Sequence, residues 1–478
     1  MSHPPRRTAL LIIFLTVFID LLGFGMVLPL LPIYGEQFAE QHGFSEQQVG
    51  LVVGLLMSSF SAMQFLFLPI WGRLSDRFGR RPIIIIGLAG STLFYALFGL
   101  ATLWRSLAGL FITRIGAGIA GATISTAQAF IADSTAKNER ARGMALIGAA
   151  FALGFTVGPV LGGAALLAGG EAAASPWPGF LAAALSGVAL VLALFRLPES
   201  LTRDSESAAR RLFDRTALRA ALSRQSIGLL LAGSFVAVFS FANFESTLSL
   251  QIKQMVGGNG LDSVSAEIAK SFEPESDAAG GVPPHAAKNE SDKLVSSAPL
   301  RRLFALGSRL GYDDAEKMTL FVVLATFTYL GLILTLAQGF LVRRLSGRLA
   351  EGTMAAGGAV TAIAGFVLLA VAAGREDFTL LLQAMALEVV GFAFVNPSLQ
   401  SLLSRRSDPR EQGSILGLGQ SMTSLARILG PVFGVSLFAR RADFPYWAAT
   451  GLMVLGLAMI VVAARGGEDF GESADAIR

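Results

Sequence analysis

Twelve separate apolar runs set the terms for this chain, each about the ~20 residues an α-helix needs to cross a hydrocarbon core of roughly 30 Å. They fall at 8–31, 48–71, 82–102, 107–131, 143–168, 178–197, 227–250, 319–342, 352–373, 378–403, 413–438 and 445–464. A soluble fold has no way to hide so many. The composition agrees: 53% hydrophobic against 15% charged residues over 478, with a mean hydropathy of +0.60, is too apolar for a soluble chain of this length. The expectation is an all-α integral membrane protein of twelve transmembrane helices. The first run follows Arg6 and Arg7 as a signal peptide would, yet it is too long, contains Asp20 and lacks a small-residue cleavage site, so it reads as a retained span.

Lys and Arg resist translocation and collect on the cytoplasmic side. With the N-terminus inside, they concentrate in the inner segments, and the short outer loops carry only Arg105, Arg375, Arg440 and Arg441. Both termini are therefore expected in the cytoplasm of a cell whose inner membrane holds the chain. The chain has no cysteine, so no disulfide framework is open to it.

The sequence repeats itself. "RLSDR" at 73–77 returns as "RLSGR" at 344–348, with Gly347 in place of the acid. Gln128, Glu139, Gly158, Pro159 and Gly162 return at a shift of 272 as Gln400, Glu411, Gly430, Pro431 and Gly434. Two six-helix bundles in parallel orientation follow: residues 1–197 and 227–464, joined by a cytoplasmic linker at 198–226, with a tail at 465–478.

The segment "GRLSDRFGRR" (72–81) packs four arginines, an aspartate and two glycines into one inner turn. The arginines hold it in the cytoplasm. Topology needs neither the acid nor the glycines, so Gly72 and Gly79 are read as allowing a tight reversal. Asp76, with Arg77 beside it, is placed to face a helix N-terminus, and Arg80 to reach an acid such as Asp133. In span 5, Gly154, Gly158 and Gly162, with Pro159 and Gly163, make a smooth ridge on which a neighbouring helix can approach closely.

Charges inside spans are costly and mark function. Five stand out: Asp20, Arg114, Glu245, Glu388 and Arg427. At ~1.5 Å per residue, Asp20 lies roughly 16 Å and Arg114 roughly 10 Å from the outer ends of their spans, a gap an arginine side chain can bridge. Glu388 and Arg427 fall at equal depths of about 15 and 16 Å, so a buried ion pair between them is expected. Glu245 lies nearer the outer end of its span, where water also reaches. A carboxylate at midplane beside a removable partner is what proton coupling requires. Structural neutralisation of the same charges is the plainer alternative. Gln64, Gln128, Asn243, Gln338, Asn396, Gln400 and Gln420 offer uncharged hydrogen-bonding groups for a substrate, and some of the 35 phenylalanines offer apolar walls.

These motifs resemble the major facilitator superfamily over nearly the whole chain, within it the twelve-helix drug:proton antiporters, and most of all tetracycline/proton antiporters. "GRLSDRFGRR" resembles the superfamily's loop 2–3 signature, "RIGAG" (114–118) its fourth-span arginine motif and "GFTVGPVLGG" (154–163) its antiporter motif. "DLLGFGMVLPLLP" (20–32) is similar to the first-span motif of drug antiporters. The resemblance implies two pseudo-symmetric six-helix bundles working by alternating access, with the Asp and Arg of the loop latching the halves on the cytoplasmic face.

ATP hydrolysis is excluded in this chain, because without a Gly-Lys dipeptide there is no phosphate-cradling P-loop. His3, His42 and His285 all lie outside the spans, which leaves no metal cluster and no intramembrane histidine relay. The outer connection 251–318 is far longer than the resemblance implies. It is Gly-, Ser-, Pro- and charge-rich until "LRRLFALGSRL" (300–310), where Leu300, Leu303, Phe304, Gly307 and Leu310 share a face as in an interfacial helix.

The expected function is export of small amphipathic molecules against protons. Uptake of a metabolite by symport or facilitation is the rival within transport, and a membrane receptor or scaffold the rival outside it. The expected partners are the lipid bilayer, protons and a small-molecule substrate, with no nucleic acid, no cofactor and no metal. The chain is expected to act as a monomer and not as an enzyme.

Overall fold

A computed structural model describes residues 6–135, 140–167, 174–201, 225–257, 297–312, 314–346, 348–407 and 412–466. Most of the linker and tail, residues 258–296 of the outer connection, Gly347 and the repeat pair Glu139 and Glu411 lie outside them. The described helices are α1 (Arg6–Val27), α2 (Leu31–Gln41), α3 (Glu46–Phe78), α4 (Arg80–Leu103), α5 (Leu107–Gly121), α6 (Ile124–Ser134), α7 (Arg140–Leu167) and α8 (Trp177–Arg196), followed in the second half by α9 (Gln225–Gly257), α10 (Ala298–Arg309), α11 (Ala315–Leu336), α12 (Glu351–Arg375), α13 (Phe378–Arg406), α14 (Gln412–Phe438) and α15 (Phe444–Gly466). Twelve segments among the described residues are long and apolar enough to cross a membrane. An even number returns both termini to one face, called here the near face.

The helices begin where the sequence supplies caps. Ser45 and Gln48 form a capping box at α3, and Asp314 and Asp377 accept from the backbone N–H groups of Lys317 and Leu380 at 2.7 and 3.0 Å. Two spans depart from the regular helix. Span 4 breaks at Ala122 and Thr123 between α5 and α6, and α11 continues through a π-helical turn at Ala337–Val342.

The two halves repeat each other's packing. In α7, which carries Pro159, Gly158 sits so close to α1 that an added Cβ would lie 2.8 Å from the Gly25 backbone. In α14, which carries Pro431, Gly430 and Gly434 do the same against Ala242 and Asn243 of α9. The glycine ridge of span 5 therefore seats a helix of its own half. Only at its far-face end do Gly162 and Gly163 turn toward the other half, meeting Leu324 of α11 and the Tyr312 hydroxyl.

Between the halves, α3 packs on α14 and α7 on α11. Gly54 approaches Val432 and Gly50 approaches Ala439, while a Cβ on Gly331 would stand 2.5 Å from the Phe155 carbonyl. Among the described residues, the side-chain bonds that join the halves run from mid-membrane to the far face. Thr156 meets Thr335 at 3.2 Å, Ser58 donates to the Ile428 carbonyl and Ser249 to that of Pro29 at 2.8 Å. Lys253 pairs with Glu36 at 2.6 Å, Gln37 donates to Glu316, and the Tyr312 hydroxyl donates to the Gly163 carbonyl. At the near face Phe78 and Phe340 are exposed instead. The molecule is closed at the far face and open at the near one.

The helix expected at 300–310 spans Ala298–Arg309. Leu300, Phe304 and Gly307 pack onto protein, Gly307 against Met318 and Phe321, whereas Leu310 is exposed. The strap ends on Tyr312, buried between Phe321 and span 5.

Candidate functional site

The arginine-rich turn is shorter than the sequence suggests. Helix α3 runs unbroken through Gly72 to Phe78, and a single residue, Gly79, reverses the chain with φ of 103°. Gly72 has nothing within 4 Å of a would-be Cβ and plays no part in the reversal, because the i to i−4 ladder continues past it. Arg80, 8% exposed, gathers the cluster. Its guanidinium contacts Asp76 at 2.5 Å and Asp133 at 3.1 Å, and donates to Ser75 Oγ at 2.7 Å. The backbone N–H groups of Arg80 and Arg81 donate to the Glu199 carboxylate at 2.9 and 3.2 Å. Asp76 thus neutralises Arg80 while Glu199, unread in the sequence, caps α4. Its signal was an acid directly after the sixth run, in "LPES". No member comes from the second half: Glu199 stands at the start of the linker and the rest belong to the first half, and Arg77 is exposed beside them with its guanidinium 5.3 Å from the Phe78 ring.

A solvent-open cavity is lined by the spans of the first half and reaches the second half at Arg427. Asp20 lines it, and its Oδ1 accepts from Ser186 Oγ at 3.0 Å. Phe24, Phe60, Tyr95 and Phe151 form aromatic walls, and Gln64, which donates to the Gly121 carbonyl at 3.2 Å, supplies an amide. Gly23, one turn beyond Asp20, lets the Tyr95 ring lie against α1. Arg427 enters from α14 of the opposite half.

The ion pairs suggested by depth do not form in this state. Arg114, 2% exposed, stacks over the Phe60 and Phe24 rings at 4.6 and 5.9 Å, and its Nε has no hydrogen-bond partner. Tyr95 lies within electrostatic reach of both Asp20 and Arg114. Glu388, 1% exposed, lies on the side of its helix that meets α9 and forms no ion pair with Arg427. The charge that acts on it is Glu245, and the charge that acts on Glu245 is Arg427. Phe241 and Phe392 stack with centroids 4.0 Å apart one turn nearer the near face, which brings Glu245 and Glu388 together. Glu245 Oε1 and Glu388 Oε2 have no hydrogen-bond partner. Equal depth does not fix which way a helix face points.

Of the seven amides, Gln64 alone lines this cavity. Gln128 and Gln420 are exposed, and Gln338, Asn396 and Gln400 are half-buried away from it. Asn243 is fully buried, donates to the Pro445 carbonyl at 3.0 Å and packs on Gly434. The residues that sequence reading passed over are hydroxyls: Ser91, Tyr95, Thr123 and Ser186. A lone tyrosine within the third apolar run was the available signal, since the chain has only five.

Fold and cavity define a multi-pass membrane protein of the transporter type. A family model described as Major Facilitator Superfamily matches residues 13–265 and 295–431, and the chain belongs to that family. It is 30% identical over 446 residues to the tetracycline resistance protein, class C, of Escherichia coli, covering 91% of each chain. It is 27% identical over 498 residues to the human major facilitator superfamily domain-containing protein 10, covering 95% of this chain and 92% of that one. Among solved structures, it overlays the human organic anion transporter MFSD10 (TETRAN) with a TM-score of 0.64 at 24% identity over 96% of this chain and all of that one. The fold is shared as well with a D-xylose-proton symporter, at a TM-score of 0.64 and 15% identity, over 94% of this chain and 96% of that one.

Proposed function

We propose that the chain is a proton-coupled exporter of small amphipathic molecules, working as a monomer by alternating access in the inner membrane of the cell, with both termini in the cytoplasm. The tetracycline resistance relatives support export. The observation that carries the reading is Asp20, a mid-span carboxylate that lines the solvent-open cavity and is held by neutral hydroxyls with no cation paired to it among the described residues. Such an acid gains or loses a proton without breaking a salt bridge, and the gain removes the charge a substrate would contact. Tyr95, Arg114, Glu245, Glu388 and Arg427 complete the proposed coupling set, and Asp76, Arg80 and Asp133 the conformational latch.

In the state described, that latch ties the first half together and leaves the near face open. The test is export driven by an imposed pH gradient in proteoliposomes, read with a fluorescent amphipathic substrate. Asp20→Asn should abolish gradient-driven flux and retain substrate exchange. Accumulation in the direction of proton entry would mark the chain as a symporter, and failure to catalyse any exchange would mark a scaffold.

A further inference from the structure

The cavity carries two opposite charges that do not meet each other. Asp20 stands on the wall of the first half and Arg427 on α14 of the second. Asp20 is held only by serine hydroxyls, and among the described residues it is in no ion pair. Arg427 is exposed into the cavity, and no hydrogen bond from its guanidinium to a described residue forms. Glu245 is the acid that its field reaches, and neither Glu245 nor Glu388 lines the cavity. Five guanidinium donors thus stand ready without an acceptor among the described residues.

Aromatic rings occupy the wall around Asp20. Phe60 and Phe24 already carry the Arg114 guanidinium against one side, while both also line the cavity. A ligand with an apolar ring buries it there and needs no specific hydrogen bond to do so.

A neutral ligand would desolvate both charges and satisfy neither, and a ligand of one charge would leave the opposite wall unmatched. We propose that this cavity takes zwitterionic amphipathic molecules, with an ammonium held at Asp20, a carboxylate or similar anion held bidentately at Arg427, and an aromatic body against Phe24 and Phe60. The proposal rests on reading the cavity as the transport site. It places one ligand contact on each half, so that the ligand bridges the two bundles.

Binding alone tests it, with no proton gradient. The purified full chain in lipid nanodiscs is titrated with three fluorescent probes on one scaffold: Nε-dansyl-lysine (zwitterion), dansylcadaverine (cation) and 6-(dansylamino)hexanoic acid (anion). The zwitterion should bind about tenfold tighter than either single-charge probe, the discrimination expected of one charged hydrogen-bonding site. Asp20→Asn should lower zwitterion affinity to that of the anion, and Arg427→Gln to that of the cation. Asp20→Glu and Arg427→Lys, which keep the charges, should preserve the order, and unchanged melting temperatures separate lost contacts from misfolding. Equal affinity for the three probes, no zwitterion binding at millimolar concentration, or equal losses for all three in either neutral variant would each overturn the proposal. Absence of pH-driven flux with the binding order intact would instead reject the transport reading and leave the ligand class standing.

Discussion

Gly72 and Gly79 show how two identical residues seven apart answer to different physics. Gly79 has a φ of 103° and the Glu199 carboxylate where a Cβ would stand. Gly79→Ala should destabilise the protein by ~1–3 kcal/mol, the cost of holding a non-glycine residue in that backbone region. Gly72 lies inside a helix with open space around it, so Gly72→Ala should stabilise by up to ~1 kcal/mol through helix propensity. Thermal unfolding of both variants in detergent measures the contrast. Equal effects would mean that Gly79 is under no strain.

At the same scale, the acids of the second half can be apportioned by double-mutant cycles. Glu245→Gln with Arg427→Gln should show a coupling of ~0.5 kcal/mol or more, because these charges act on each other. Glu388→Gln with Arg427→Gln should be additive, which reverses the expectation from matching depths. A larger coupling in the second cycle would restore the Glu388–Arg427 pair.

Among the elements, the strap of α10 and Tyr312 fastens the outer connection to span 5. The Tyr312 hydroxyl donates to the Gly163 carbonyl, and burial pushes its phenol up to about 12, so it stays a donor throughout the physiological range. Tyr312→Phe removes a bond worth ~0.5–1.5 kcal/mol that joins the halves at the closed far face, and should favour far-face opening by roughly twofold to tenfold. The chain has no native cysteine, so spin labels at Phe78→Cys and Phe340→Cys report the near-face gap cleanly. Tyr312→Phe should enlarge the short-distance population. An unchanged distribution would show that the strap does not bias the cycle.

Helix contacts between and within the halves are equally specific. Gly158→Ala would drive a methyl to 2.8 Å from the α1 backbone, which has no side chain to move aside. Overpacking of this kind costs ~1–3 kcal/mol, and its loss of melting temperature should exceed that of Gly148→Ala, where a Cβ meets nothing within 4 Å. Because α1 carries Asp20, the same substitution should also slow transport.

For the whole molecule, the amino-acid sequence by itself determined how many times the chain crosses the bilayer and that it does so as two copies of one plan. Lipid offers no hydrogen bonds to the backbone, so length and apolarity of each run dictate a helix, and the repeated glycines and prolines dictate repeated packing. Asp20, Arg114, Glu245, Glu388 and Arg427 were legible as functional candidates because charge inside a span is too costly to be incidental, but which of them line the cavity was not. Tertiary structure alone decided the partners. Depth along a helix follows from counting residues, but the direction of a side chain depends on how each helix is rotated against its neighbours, so Glu388 turned to Glu245 and Arg114 to Phe60. It also decided that Glu199 caps α4 and that the far face is the closed one. Both depend on contacts between residues more than 100 apart, whose energies no local pattern encodes.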